Sequence, residues 1–295
     1  MSRSESSTAP NLTRDRPPGG GARAHRHTGC VPSETVFHRY VALGDSFTEG
    51  VGDHDPTRAN GVRGWADRVA EVLAARTDDF RYANLAIRGR KLLGIVEEQV
   101  QPAIDLRPDL VTVYAGANDI VRPKVDLDAL AVVYDEAVGR LAATGARIVL
   151  FTAFDPGSGG IYAPIRGRFA LYNEHVREIA ERHGATIADS WRMARQLPAD
   201  LASSDARLWD EDRMHLGPAG HQFVAMMVLD ALGVLEHGLE PLPLSEIPDV
   251  PRLAKVRADL DWTRRYLGPW VHRRLTGRSS GDTVAPRRPG LAPIE

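Results

Sequence analysis

Residues 39–50 of the chain read RYVALGDSFTEG. The apolar first half of this stretch is typical of a buried β-strand, and it ends abruptly at Gly44, Asp45 and Ser46. Such a strand end holds a side chain rigidly at the edge of a sheet, where a ligand can reach it. The same residue types also occur in ordinary turns and helix caps, so the remainder of the chain decides how the stretch is interpreted.

Strand-like and helix-like segments alternate along the chain. We predict strands over 36–43, 81–86, 109–114, 147–151 and 185–188, and helices over 64–76, 92–103, 127–141, 165–183 and 218–232. This alternation predicts an α/β fold in which a parallel sheet is covered by helices on both faces. Ligands of such sheets bind beyond the carboxyl ends of the strands. Polar or glycine residues follow three of the predicted strands, at Ser46, Gly89 and Asn118.

The composition and net charge of the chain exclude several classes of protein. The 295 residues are 43% hydrophobic and 26% charged, as in a globular protein with a substantial core. The formal net charge of −2 provides no overall field for nucleic acid, so we expect no nucleic-acid partner. Cys30 is the only cysteine, which excludes an intramolecular disulfide and a zinc site of several thiolates. No apolar run has the length of a membrane span or a signal-peptide core, so we expect a cytoplasmic protein.

The two ends of the chain differ in composition from residues 36–240, which we predict to form one folded domain. Residues 1–35 are rich in Ser, Pro, Gly and Arg and are predicted to be a disordered tail. Residues 241–278 are predicted to be a basic helical extension, with Trp262, Tyr266 and Trp270 interleaved and a break at Gly268-Pro269. We expect this extension to dock on the domain, and weak contact of Arg252–Arg278 with an anionic membrane surface is the alternative. Residues 279–295 are predicted to be a second disordered tail.

Other stretches contain the groups that a serine nucleophile would need. A serine hydroxyl attacks effectively only when a base takes its proton. His215 is the candidate base, because an imidazole can accept a proton and then return it to the leaving group. Asp212, three residues earlier, is the candidate acid that would orient the imidazole ring. The rival acids and bases are Asp210, Glu211, His54 and His221, of which His221 is expected to be a surface or packing residue.

Acyl transfer also needs hydrogen-bond donors for the oxygen that becomes negative in the tetrahedral intermediate. The backbone amides of Ser46 and Gly89 and the side-chain amide of Asn118 are suitable in kind. For Gly89 the alternative explanation is a turn that requires glycine, and for Asn118 it is an Asx turn or a helix cap.

Four of these stretches, taken in order, resemble the sequence blocks of the SGNH or GDSL-type hydrolases. The stretches are Gly44–Phe47, Asn84–Gly89, Gly116–Asp119 and Asp212–His215, and the resemblance covers residues 36–235. It implies a flavodoxin-like three-layer α/β/α sandwich around a mostly five-stranded parallel sheet. It also implies that the site requires no metal ion and no other cofactor.

The resemblance assigns a role to each candidate residue. Ser46 is the nucleophile, His215 the base and Asp212 its partner, while Ser46, Gly89 and Asn118 form the oxyanion hole. Two departures are visible: Phe47 replaces the common leucine, and Leu216-Gly217-Pro218 replaces the usual His-Pro sequence.

The activity implied is serine-dependent hydrolysis of a carboxylic ester of a small acylated substrate. Acyl transfer at the same site and a catalytically silent binding module are the alternatives. The order Ser, Asp, His also fits the α/β-hydrolases, but residues 44–48 lack the second glycine of their nucleophile elbow. Arginines near the predicted site are compatible with an anionic substrate or with a solvated surface; they are Arg88, Arg90 and Arg122.

Overall fold

A computed structural model of the chain describes residues 35–157, 162–195, 205–234, 239–244, 246 and 251–294. Nearly all of the predicted N-terminal tail, residues 1–34 with Cys30, lies outside the described residues. Within the described part, no helix combines the length and apolar character needed to cross a membrane.

A six-stranded sheet forms the centre of the described structure. Its strands are β1 (Arg39–Gly44), β2 (Arg81–Asn84), β3 (Leu110–Tyr114), β4 (Arg147–Phe151), β5 (Thr186–Ala188) and β6 (Arg288–Ala292). The strand order is β5-β4-β3-β1-β2-β6, with the first five strands parallel and β6 antiparallel to β2. The five predicted parallel strands are therefore confirmed, and the structure adds a sixth.

The described residues contain ten α-helices. They are α1 (Ser46–Glu49), α2 (Gly64–Ala74), α3 (Leu92–Ile95), α4 (Gln101–Asp105), α5 (Ala117–Ile120), α6 (Leu127–Ala142), α7 (Arg166–His183), α8 (Pro218–Leu232), α9 (Arg252–Trp262) and α10 (Gly268–Leu275). Short π-helical turns join α3 to α4 and α9 to α10, over Val96–Val100 and Thr263–Leu267. Single 3₁₀ segments lie at Ala59–Gly61, Ala163–Ile165, Ser190–Arg195 and Ala206–Leu208.

The sheet is covered on both faces because its strands carry apolar side chains in both directions. Along β1, Tyr40 and Ala42 pack with α2 and α8, whereas Val41 and Leu43 pack with α3, α4, α6 and α7. Strands that are apolar on both faces are characteristic of buried parallel sheets. The predicted three-layer α/β/α architecture is confirmed.

The strand order reverses between β1 and β3. The chain passes from β1 to β2 on one side and then returns to β3 on the other side of β1. Gly44 and Tyr114 are register partners at the ends of these two strands, so Ser46 and Asn118 leave the sheet side by side. Ligand sites of open α/β sheets lie at such a switch point.

The structure of the C-terminal end contradicts one prediction. Residues 279–295 were expected to be disordered, but β6 pairs with the edge strand β2, and Arg287 forms an ion pair with Asp67 in the interior. Pro289 and Gly290 hide this strand in the sequence, since both are poor strand residues. They are tolerated because β6 is itself an edge strand, where a missing N–H donor need not disrupt the ladder.

The predicted helix break at Gly268-Pro269 is also wrong. Gly268 keeps right-handed helical angles, with φ −57° and ψ −55°, and Pro269 lies in the first turn of α10. The π-helical turn just before it shifts the hydrogen-bond pattern, and the first turn of a helix does not need the missing proline N–H. The extension is therefore helical on both sides of this pair.

Candidate active site

Ser46 is the first residue of α1, directly after β1. Asp45 caps this short helix by accepting a hydrogen bond from the backbone N–H of Phe47 at 3.1 Å. Gly44 is needed just before it, because a Cβ there would lie 2.7 Å from the backbone oxygen of Tyr114. The Ser46 Oγ lies 2.9 Å from Nε2 of His215, so the hydroxyl points at an imidazole contributed from 169 residues away.

His215 is held in place by Asp212. Nδ1 of the ring lies 2.5 Å from one carboxylate oxygen of Asp212. The other oxygen accepts the backbone N–H groups of Met214 and His215, each at 2.8 Å. With its proton on Nδ1 and donated to Asp212, the ring presents the lone pair of Nε2 to the Ser46 hydroxyl.

The loop that carries these two residues is a closed turn. Arg213 adopts a left-handed backbone conformation with φ 56°. The N–H of Arg213 donates to the oxygen of Asp210 at 2.9 Å, and the N–H of Asp210 donates to the oxygen of His215 at 2.8 Å. An isolated antiparallel bridge between Trp209 and Leu216 closes the base of the turn. The local backbone thus fixes the acid and the base relative to each other.

The rival acids lie elsewhere. Asp210 is directed to His54, whose Nε2 is 3.8 Å away and whose side chain is 72% exposed. Glu211 accepts a long hydrogen bond of 3.4 Å from the Tyr266 hydroxyl. In this arrangement neither acid replaces Asp212 as the partner of the ring, and His54 does not approach Ser46 as His215 does.

His221 is a packing histidine. Its Nδ1 accepts the backbone N–H of Trp65 at 3.2 Å, and its Nε2 donates to the oxygen of Val51 at 3.1 Å. The ring is completely buried, and this burial lowers its pKa to about 4. His221 therefore joins α8 to α2 as a neutral group.

The two aspartates of the site have opposite pKa shifts. Burial raises the pKa of Asp45 to about 7, against smaller opposing effects of the Phe47 N–H and the nearby His215. Burial would also raise the pKa of Asp212, but hydrogen bonds from His215 and Met214 and attraction to the His215 ring outweigh it. The net pKa of Asp212 is lowered, which keeps that carboxyl ionised.

Asn118 connects the ends of two strands. It lies in α5, whose N-cap is Gly116, and its side chain does not cap the helix. Its Nδ2 group donates to the Asp45 carboxylate and to the backbone oxygen of Arg90, each at 3.0 Å. The side-chain amide therefore lies beside the serine turn and uses both of its hydrogens there. The Asx-turn and helix-cap alternatives are not observed.

Gly89 lies in the turn after β2, next to these groups but not in the cavity wall. Its φ is 76°, and a Cβ there would lie 2.2 Å from the Ser279 hydroxyl. The turn is fixed by Arg88, whose backbone N–H and guanidinium donate to the buried Glu49 at 2.7 Å and 2.6 Å. The backbone therefore explains a glycine at this position independently of catalysis. Among the oxyanion candidates, the structure brings Ser46 and Asn118 into the cavity wall and Gly89 only into the adjacent turn.

The three arginines near the site have structural partners. Arg88 pairs with Glu49, Arg90 pairs with Glu98 at 2.8 Å, and Arg122 donates to the backbone oxygen of Asn118 at 3.3 Å. None of the three lines the described cavity. They therefore provide no support for an anionic substrate.

A cavity of about 960 Å³ opens beside Ser46 and His215. Its aromatic wall residues are Phe47, Tyr114, Phe154, Tyr162, Phe169, Trp209, Trp262, Tyr266 and Trp270. The last three belong to α9, α10 and the π turn between them, a wall that the sequence analysis missed. The signal was the spacing of these aromatic residues, four apart along a helix, which places them on one face. Among the described residues, no cluster of His, Cys, Asp or Glu is arranged to hold a metal ion.

A serine hydroxyl, an imidazole and a carboxylate thus lie in hydrogen-bonded series at the switch point of an α/β/α sandwich, and these are the groups that nucleophilic attack by a serine requires. A model of the GDSL-like Lipase/Acylhydrolase family matches residues 42–223, more than half of the chain. The chain belongs to this family and is an ester hydrolase, as the resemblance implied. The match ends inside α8, so that α9, α10 and β6 lie beyond it.

Solved structures share the fold. LAE5, an alpha/beta hydrolase enzyme from the metagenome of Lake Arreo in Spain, is 26% identical with a TM-score of 0.54, covering 68% of this chain and 98% of that chain. Axe2, an acetylxylan esterase from Geobacillus stearothermophilus, is 22% identical with a TM-score of 0.53, covering 66% and 94%. The acetyl xylan esterase AlAXEase is 19% identical with a TM-score of 0.51, covering 65% and 98%. A comparison with curated proteins gave no significant match.

Proposed function

We propose that the chain hydrolyses carboxylic esters of small acylated substrates through an acyl-enzyme on Ser46. The observation that carries this proposal is the continuous series from the Ser46 Oγ to His215 Nε2 at 2.9 Å and from His215 Nδ1 to Asp212 at 2.5 Å. Ser46 and His215 lie in the wall of the cavity beside the ends of β1 and β3, whereas Asp212 is not a wall residue.

In the acylation step, Ser46 Oγ attacks the ester carbonyl carbon while its proton passes to His215 Nε2. Asp212 stabilises the imidazolium that results. The C–O bond to the alcohol then breaks, and His215 returns the proton to the departing alkoxide. Water repeats the same sequence on the acyl-enzyme, which releases the carboxylic acid and restores the Ser46 hydroxyl.

Three N–H groups are proposed to stabilise the oxyanion: the backbone amides of Ser46 and Gly89 and the side-chain amide of Asn118. Asn118 already donates to Asp45 and to Arg90, so one of these bonds has to lengthen when the oxyanion forms. Hydrogen bonds of this kind often reach their working geometry only with substrate bound.

The cavity walls suggest which substrates to compare. Nine of the 26 described wall residues are Phe, Tyr or Trp, which favours acyl or alcohol groups that present apolar faces. A screen of short acyl esters, acetylated sugars, lysophospholipids and acyl thioesters would separate the substrate classes. Product analysis with added alcohols as acceptors would distinguish hydrolysis from acyl transfer.

Ser46→Ala and His215→Ala are expected to abolish nearly all turnover of a short p-nitrophenyl ester, by roughly four orders of magnitude or more. His54→Ala is the matched control, because His54 is an exposed histidine near the site that does not contact Ser46, and it should retain wild-type turnover. Thermal denaturation would verify that all three variants fold. Wild-type turnover in both Ser46→Ala and His215→Ala would exclude the mechanism.

A further inference from the structure

The segment beyond the family match, residues 251–294, contacts the loop of the candidate acid and base. We call it the C-terminal segment; it contains α9, α10 and β6. The indole N–H of Trp262 donates to the backbone oxygen of Asp212 at 2.9 Å. Arg213, the next residue of the loop, pairs with Asp259 at 2.8 Å, and its guanidinium lies 5.0 Å from the centre of the Trp262 ring. A hydrogen bond, an ion pair and a cation–π contact therefore join α9 to this loop.

The same segment packs against the turn of Gly89. Gly281 is buried and packs closely against the backbone of Arg88, so that a Cβ at residue 281 would lie 2.1 Å from the Arg88 oxygen. The Ser279 hydroxyl lies 2.2 Å from where a Cβ of residue 89 would be and 3.5 Å from the Arg88 oxygen. Asp282 accepts the N–H of Ser279 at 2.9 Å and thereby closes this part of the segment into a turn. The second contact is thus one of close backbone packing.

The end of the segment is anchored in the domain. Arg287 donates to both carboxylate oxygens of the buried Asp67 and to the backbone oxygens of Val62 and Arg63. β6 then pairs with the edge strand β2. The contacts with the two loops are therefore made by a segment whose far end is fixed to the sheet.

Burial of apolar surface does not explain where α9 lies. None of its residues is buried, and Leu253 is 78% exposed. A helix that buries so little gains little hydrophobic stabilisation from docking. Its position depends instead on the polar contacts with the loop of Asp212 and on the anchored chain that follows.

We propose that the C-terminal segment is a positioning part of the active site, with Trp262 and Gly281 as its positioning residues. Trp262 fixes the loop of Asp212 and thereby the base, and Gly281 fixes the turn of Gly89 and thereby one oxyanion donor. Misplacement of such groups by about 1 Å can lower a rate roughly a hundredfold. The inference rests on the proposed function, because positions of these groups matter only if they act on the substrate.

The first test is Trp262→Phe, which keeps an aromatic ring and removes the N–H donor. We expect kcat for a short p-nitrophenyl ester to fall roughly five- to tenfold, the equivalent of one hydrogen bond, with KM changed less than kcat. Leu275→Ala is the matched control on the same helical extension, because Leu275 is 82% exposed and does not line the cavity. It should leave kcat unchanged.

The second test compares two glycines of the C-terminal segment. Gly281→Ala forces a methyl group against the oxygen of Arg88, whereas Gly290→Ala meets no atom within 4 Å. We expect Gly281→Ala to slow both kcat and the labelling of Ser46 by a fluorophosphonate, and Gly290→Ala to behave as wild type. If Gly281→Ala does not fold, Ser279→Ala tests the same turn.

Titration of active sites with the fluorophosphonate separates positioning from stability. A purely structural role would lower the melting temperature and leave kcat per titrated site unchanged, which would overturn the inference. Wild-type kcat in Trp262→Phe and in the folded variant of the 279–281 turn would overturn it as well. In either case an inactive Ser46→Ala leaves the proposed function standing, whereas an active Ser46→Ala would remove the proposed function itself.

Discussion

Asp45 is a buried carboxyl whose protonation is tied to folding. It accepts hydrogen bonds from the N–H of Phe47 and from the Asn118 side chain, and burial raises its pKa to about 7. In the unfolded chain an aspartate has a pKa of about 3.9. Between these two pKa values the folded protein keeps a proton that the unfolded chain has lost. Stability from Asp45 is therefore full below about pH 4 and is lost as the pH rises through about 7.

Asp45→Asn should remove this pH dependence. We expect the free energy of unfolding of the wild type to fall relative to that of the variant by roughly 2–4 kcal/mol between pH 4.5 and pH 8. Urea denaturation of both proteins across this range measures the difference. The variant is needed as a reference because both proteins also contain His221, whose pKa burial lowers to about 4. His221 makes the free energy of unfolding rise with pH, opposite to the effect of Asp45, and it does so equally in both proteins. A difference that stays constant with pH would contradict the assigned shift of Asp45.

Single residues show what sequence reasoning can and cannot provide about the site. The juxtaposition of Ser46, His215 and Asp212 was predictable, because a serine nucleophile would need these residue types and because the short spacing of the last two fits one turn. The surroundings of Asn118 were not predictable, since its partners Asp45 and Arg90 meet it only through tertiary packing. The same reason explains why Arg88 was assigned to the substrate or the solvent rather than to Glu49.

At the level of elements, the composition of the C-terminal residues did not predict β6 or the role of Arg287, the residue before it. Arg287 and Asp67 form an ion pair that is almost fully withdrawn from solvent. Removing one member of a buried pair leaves the other charge uncompensated, which is more damaging than the pair's own net contribution. The C-terminal strand therefore depends on a residue pair separated by 220 positions.

Arg287→Ala is expected to destabilise the protein by about 3–5 kcal/mol, because Asp67 would remain buried without a partner. Arg288→Ala is the neighbouring control, since Arg288 is only half-buried, and it should cost less than about 1 kcal/mol. Chemical denaturation measures both changes. Equal stability of Arg287→Ala and the wild type would show that the pair does not hold the C-terminal segment to the domain.

For the whole molecule, the sequence predicted the order of strands and helices, but it did not predict which distant residues pair. Alternating periodicity places strands and helices, and the topology of parallel sheets then follows from few rules. The pairing of Asn84 with Arg288, or of Trp262 with Asp212, leaves no local pattern in the sequence. The cavity wall formed by α9 and α10 was missed for this reason, although its aromatic residues were visible.

The hydrolase account as a whole depends on a reactive Ser46 hydroxyl. The most direct measurement is to treat the wild type with a fluorophosphonate and to map the adduct by peptide mass spectrometry. The account predicts one adduct per chain, located on Ser46, with parallel loss of esterase activity and much slower labelling in His215→Ala. An enzyme that loses its activity with the adduct on another residue, or stays active with Ser46 fully labelled, would contradict it.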